Sequence, residues 1–214
     1  MSVLTDPGWV VPPLPPGDGG GMDRLRRSVS RFSVGAEHAE RRSALERALA
    51  AVPPADLRAA ARDLVRRDPT PPVVPRVPLT VLAAALGVED PAAVATLVRP
   101  VAAAYHPDSA PSGPADAAAE ELLRRVGVAR TTLLVQSCLP VAALVTGALE
   151  TGLDQVLTSG SPPVPATRRW SPITGETTTV PLAGIPFGEG PRRCPAELHA
   201  LALATGVLDG LKPQ

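Results

Sequence analysis

Apolar positions in this chain fall into Ala/Leu/Val-rich runs, interleaved with arginine and glutamate and cut apart by proline and glycine. These two residues are the strongest local breakers of regular structure, so the pieces between them are the candidate elements. Met22 to Phe32 reads as a short basic helix, Ala36 to Ala51 as a strong one and Pro54 to Arg67 as a third. Asp68 to Pro78 carries too many prolines and is expected as a loop, because proline lacks the amide donor that helices and sheets require. Leu79 to Leu86, Pro91 to Ala104 and Ala115 to Val126 follow as further helices, and Thr131 to Leu157 as the longest. Beyond Thr158 the texture changes. Thr174-Gly175-Glu176 between β-tolerant residues predicts a small hairpin, with Thr177 to Val180 as one arm. A final helix is expected over Pro195 to Leu211. The pattern predicts a mainly α fold with a small β element and no internal repeat.

Composition narrows the picture. The chain has 214 residues, 44% hydrophobic, with no net formal charge. That suits one globular domain over residues 23–214, preceded by a Pro/Gly-rich segment over residues 1–22. Neutrality argues against general attraction to nucleic acid or an anionic membrane. The N-terminal segment lacks the basic start and apolar run of a signal peptide. The apolar run Thr131 to Leu149 carries Gln136 and Ser137, so a buried core helix is expected rather than a membrane anchor. The expectation is a soluble, cytoplasmic protein. Lys212 is the only lysine, so nearly all basic charge is arginine, the better residue for gripping carboxylates. Two cysteines, Cys138 and Cys194, make no disulfide framework.

Cys194 is the chemically informative one. Phe187 to Ala196 reads F-G-E-G-P-R-R-C-P-A. Gly188 and Gly190 let the backbone fold tightly under a flat ligand, Arg192 stands two before the cysteine, and Pro195 opens the expected last helix. A sulfur at that helix end meets free N–H groups and the positive pole of the dipole, both of which favour a thiolate, the form that ligates metal. A buried neutral loop cysteine is the alternative reading of the residue on its own.

The whole loop resembles the haem-binding loop of the cytochrome P-450 family, position by position. The resemblance implies a P-450-like fold binding haem b, with Cys194 as the axial ligand of the iron and Phe187 shielding the sulfur. Other segments carry it further. V-L-T-D-P-G-W-V-V-P-P resembles the middle of the family's N-terminal half. His38 and Arg42 share the H-x-x-x-R spacing of a family helix that bonds a haem propionate, and lie one turn apart. P-P-V-P-A-T-R-R-W resembles the segment supplying another propionate-binding arginine, assigned to Arg169, with Arg168 as the competing neighbour. With Arg192 these would clamp the two propionates, whose burial without cations is costly. The implied activity is monooxygenase oxidation of a small apolar substrate, with electrons from an external electron-transfer partner. Each of these arginines and His38, taken alone, also reads as an ordinary surface or packing residue.

The resemblance also breaks. The chain is much shorter than members of the family, and the family's E-x-x-R core helix is absent before P-P-V-P-A-T-R-R. T-L-L-V-Q-S-C-L-P-V-A-A-L-V-T-G resembles the central helix that crosses the haem, but Leu139-Pro140-Val141 and Ala142 stand where an acid–threonine pair usually relays protons. Pro140 is expected to bend that helix. Loss of a positioned relay would cost roughly two to four orders of magnitude in rate. Peroxide-driven or otherwise atypical chemistry therefore stays open, as do a non-catalytic partner role and a decayed family member. A homodimer would cover surface that the missing segments leave exposed.

Overall fold

A computed structural model describes residues 2–70, 76–109 and 113–213. Among them the chain is mainly helical, with one two-stranded antiparallel sheet. Eight α-helices appear: α1 Gly21–Ser28, α2 Gly35–Ala50, α3 Pro54–Arg67, α4 Val77–Ala85, α5 Pro91–Ala103, α6 Gly113–Thr151, α7 Leu153–Thr158 and α8 Glu197–Leu211. Short 3-10 turns cover Ser30–Phe32 and Gly190–Arg192. The strands are β1 Ala166–Trp170 and β2 Thr177–Pro181.

Local chemistry explains the helix starts. Pro54 opens α3 and Pro91 opens α5, where a missing amide proton costs nothing. Asp90 caps α5 by accepting from the Ala93 N–H at 3.0 Å. The N-terminus of α1 is capped from outside its own segment: Asp116 Oδ1 of α6 accepts from the Met22 N–H at 2.9 Å.

Some boundaries differ from the sequence expectation. Val77 and Pro78 belong to the first turn of α4, because proline suits that position; residues 71–75 of the expected loop lie outside the described residues. The expected break after Val126 does fall there, at Gly127, whose φ of 76° only glycine adopts readily and which kinks α6 between its two helical parts. Helical dihedrals run through Pro140 instead, although its missing N–H leaves the Gln136 carbonyl without its intrahelical donor. Gly152, at φ 90°, then separates α6 from α7.

α6 forms the spine. It packs on α1, α2, α4, α5, α7 and α8, and buries Leu133, Leu134, Val135, Val141, Leu144 and Val145. By length and composition it is also long and apolar enough to cross a membrane. α3 and α8 pack closely: a Cβ added at Gly206 would strike the Arg58 carbonyl and Ala61. In the sheet Ala166 pairs with Pro181 and Trp170 with Thr177. Gly175, at φ 72°, turns the hairpin. On the other edge of β1, Val10 and Trp170 exchange backbone bonds of 2.9 and 2.8 Å, which fastens the N-terminal segment to the body.

Candidate functional site

The loop 187–196 is held by its own backbone. The Cys194 N–H donates to the Phe187 carbonyl at 2.8 Å, and Arg193 N–H to Gly190 O at 3.1 Å. Gly188 and Gly190 have φ of 71° and 68°. Their roles separate. Gly188 lines the main cavity of the molecule, whereas Gly190 is outside its lining: a Cβ there would lie 2.8 Å from the Leu4 carbonyl, so glycine lets the N-terminal segment close on the loop. The last helix starts later than expected. Ala196 is its N-cap and Pro195 lies outside it, so the Ala196 N–H, rather than a helical turn, meets the Cys194 sulfur. Burial pushes the Cys194 thiol up from its usual value, opposed by that N–H and by Arg42.

Cys194 opens onto a cavity of about 400 Å³, within the ordinary range for small-molecule sites. His38, Arg42, Arg169, Arg192, Phe187 and Gly188 line the same cavity, although they come from α2, β1 and the loop. His38 is kept below its usual pKa by burial, then by Arg192 and Arg42, so it is neutral at pH 7. Arg42 is already engaged: Nε donates to Glu46 Oε1 at 2.6 Å and a terminal nitrogen to the Arg193 carbonyl at 2.7 Å.

The two remaining predicted arginines differ in kind. Arg169 is 5% exposed, and its hydrogen bonds go only to Thr167 Oγ1 at 3.0 Å and the Arg168 carbonyl at 2.9 Å. Arg192 donates to the carbonyls of Ser33 at 2.6 Å and Ser30 at 3.5 Å. Neither has a carboxylate partner among the described residues. Burial, with the neighbouring Arg169 second, lowers Arg192 to about 10. It stays a cation at neutral pH, at a cost that an anion would offset. Arg168, by contrast, is ion-paired with Asp108.

The opposite wall is α6. Leu133, Ser137, Pro140, Val141 and Leu144 line the cavity at helical spacing, so no acid–threonine pair faces it. Ser137 donates to the Leu134 carbonyl at 3.1 Å, and Thr146 is exposed and away from the cavity. Gln136, also on this wall, donates through Nε2 to Tyr105 Oη at 2.9 Å. The N-terminal segment supplies further wall through Leu4, Val11, Pro12 and Pro13.

Among the lining residues to which the sequence reading gave no role are Arg31, Gln136 and His106. His106 has no partner spacing in the sequence and reads there as incidental. The fold carries it to the cavity because Arg26 fixes the carbonyls of Ala104, Tyr105, His106 and Ser109. His199, also unassigned, is structural: Nε2 reaches the carbonyls of Leu49 and Val52 at 3.1 and 3.0 Å.

Tyr105 gives a pH test of this packing. Burial raises its phenol to about 12, so the folded chain holds the proton that an unfolded phenol releases near 10. Stability from this group is complete below pH 10 and declines as pH rises towards 12, by about 1.4 kcal/mol per unit. Denaturant unfolding at pH 9 and 11 is expected to show a smaller alkaline loss in Tyr105→Phe than in the parent chain.

No protein-family model matches this chain, and neither does any curated protein or solved structure.

Proposed function

We propose that the chain is a haem-thiolate oxidoreductase of the cytochrome P-450 type. The carrying observation is the juxtaposition in one cavity of the Cys194 sulfur with the buried Arg169 and half-buried Arg192 guanidiniums, neither with a carboxylate partner among the described residues. An unpaired cation drawn out of water is costly, and a dianion with carboxylates at one edge would offset that cost at both arginines. The donor set narrows the choice. Among the described residues no group of three or more His, Cys, Asp or Glu side chains stands ready for a metal ion. A metal at Cys194 must therefore bring most of its own ligands, as a haem iron does.

In this reading Cys194, whose sulfur meets the Ala196 N–H, would ligate the iron. Arg169 and Arg192 would hold the propionates, with neutral His38 and Arg42 beside them and Phe187 near the sulfur. Haem supplies the redox-active iron; the protein supplies orientation, charge and a largely apolar α6 wall. That wall holds no carboxylate, and the lining carboxylates Asp108, paired with Arg168, and Glu189 lie off α6, so on the α6 side protons would come through water, Ser137 or the substrate. This favours peroxide-driven oxidation, or a haem reaction without oxygen cleavage, over dioxygen activation by an external electron donor. The working location is the cytoplasm. A non-catalytic partner role corresponds to folded protein that takes up no haem.

The test is titration of the purified chain with haem, followed by reduction under carbon monoxide. One haem per chain and a strongly red-shifted Soret band are expected, with the band lost in Cys194→Ala and helicity retained. Folded protein that takes up no haem overturns the reading.

A further inference from the structure

Composition sets the Pro/Gly-rich segment apart from the domain, yet residues 2–16 form one wall of the cavity, through Leu4, Val11, Pro12, Pro13 and Pro15. This wall differs from the others in what stands behind it. On α2 and α6 the lining residues Leu45, Leu133, Val141 and Leu144 also belong to the hydrophobic core, so those walls cannot part without opening it. No apolar side chain between residues 2 and 16 belongs to that core or packs against it. Even Leu4, only 4% exposed, is buried outside it.

Few hydrogen bonds hold the segment down. Among the described residues three tie it to the rest of the chain: the Val10–Trp170 pair at 2.9 and 2.8 Å, and Arg27 donating to the Pro15 carbonyl at 2.8 Å. Its five prolines lack the donor that would extend the pairing along β1. Packing at Gly190 seats the other end, since a side chain there would strike the Leu4 carbonyl. A segment with few core contacts and few backbone bonds opens at a free energy well below that of global unfolding.

We propose that residues 2–16 are a strap that lifts as a unit while the helical body stays folded, and that the cavity is filled beneath it. The inference concerns access to the cavity and does not depend on haem being its occupant.

Hydrogen exchange of the full haem-free chain, read by NMR, tests the lifting. The Val10 and Trp170 amides are expected to exchange at least about a hundredfold faster than those of Leu134 and Val145 in α6. Val10→Pro removes one fastening bond and tests the route. It is expected to speed entry of the fluorescent dye anilinonaphthalene sulfonate about fivefold in stopped flow, with the melting temperature within about 3 °C of the parent. Exchange at Val10 and Trp170 as slow as in α6 overturns the inference, and so does dye entry unchanged in Val10→Pro. A chain that admits the dye faster in Val10→Pro but takes up no haem overturns the haem reading and leaves the strap standing.

Discussion

Replacing Arg169 with leucine is expected to stabilise the haem-free chain and weaken haem uptake about a hundredfold, two effects of opposite sign. Arg169 is 5% exposed, has no carboxylate partner, and raises the cost of charging Arg192 beside it. Exchanging such a charge for an apolar side chain removes a desolvation penalty, and replacements of buried ionic groups gain about 1–4 kcal/mol in favourable cases. For a chain of this length each kcal/mol moves the melting temperature by roughly 2–4 °C. With haem bound the balance reverses. A guanidinium bonded to a propionate contributes about 1.5–3 kcal/mol per charge-assisted bond, and a leucine leaves that carboxylate buried and unpaired. Melting curves with and without haem, together with a haem titration, read both effects. A strand residue with only a structural role gives the contrary result: lower stability without haem and unchanged uptake.

Arg26→Met is expected to cost roughly 3–5 kcal/mol and to lower the melting temperature by about 10 °C. Arg26 is 8% exposed and bonds the carbonyls of Ala104 at 2.6 Å, His106 at 2.8 Å, Ser109 at 3.1 Å and Tyr105 at 3.2 Å. These carbonyls end α5 and form the loop that carries His106 and Asp108 to the cavity. Methionine matches the length of the side chain but removes the shared donor of four carbonyls, of which only that of His106 keeps another, the Ser109 N–H, among the described residues. Lysine is expected to recover less than half of the loss, since one ammonium cannot span four carbonyls as a planar fork does. Denaturant unfolding measures this directly. A change within 2 °C would show that the loop is held by other contacts.

Arg26 and Arg31 mark how far a sequence reading reaches. Both lie in the stretch Met22 to Phe32, which reads simply as a basic helix. Nothing local distinguishes Arg26, which folds onto carbonyls 78 to 83 positions away, from Arg24, which meets Glu120 at the surface. His38 and Arg42 were legible because one helical turn brings them to one face. The break at Gly127 was legible as the gap after Val126, whereas the bend expected at Pro140 does not occur. Pro140 is the stronger breaker on composition, but a helix packed on six others tolerates its one missing hydrogen bond. Gly127 leaves the helical region because glycine alone adopts that positive φ without strain.

By itself the sequence determined the features that arise within a few residues. These are the helices Ala36 to Ala51 and Pro54 to Arg67 between their breakers, the hairpin at Gly175, and the glycine-turned loop that presents Cys194. The tertiary structure alone decided which charges are left without partners. Arg168 and Arg169 are neighbours of identical chemistry, yet one meets Asp108 sixty positions away and the other is buried with no carboxylate partner among the described residues. Arg192 ends on carbonyls of residues 30 and 33. Partner choice for a long cationic side chain depends on what distant segments bring within reach, and that reach decides which guanidiniums near the sulfur have no carboxylate partner among the described residues.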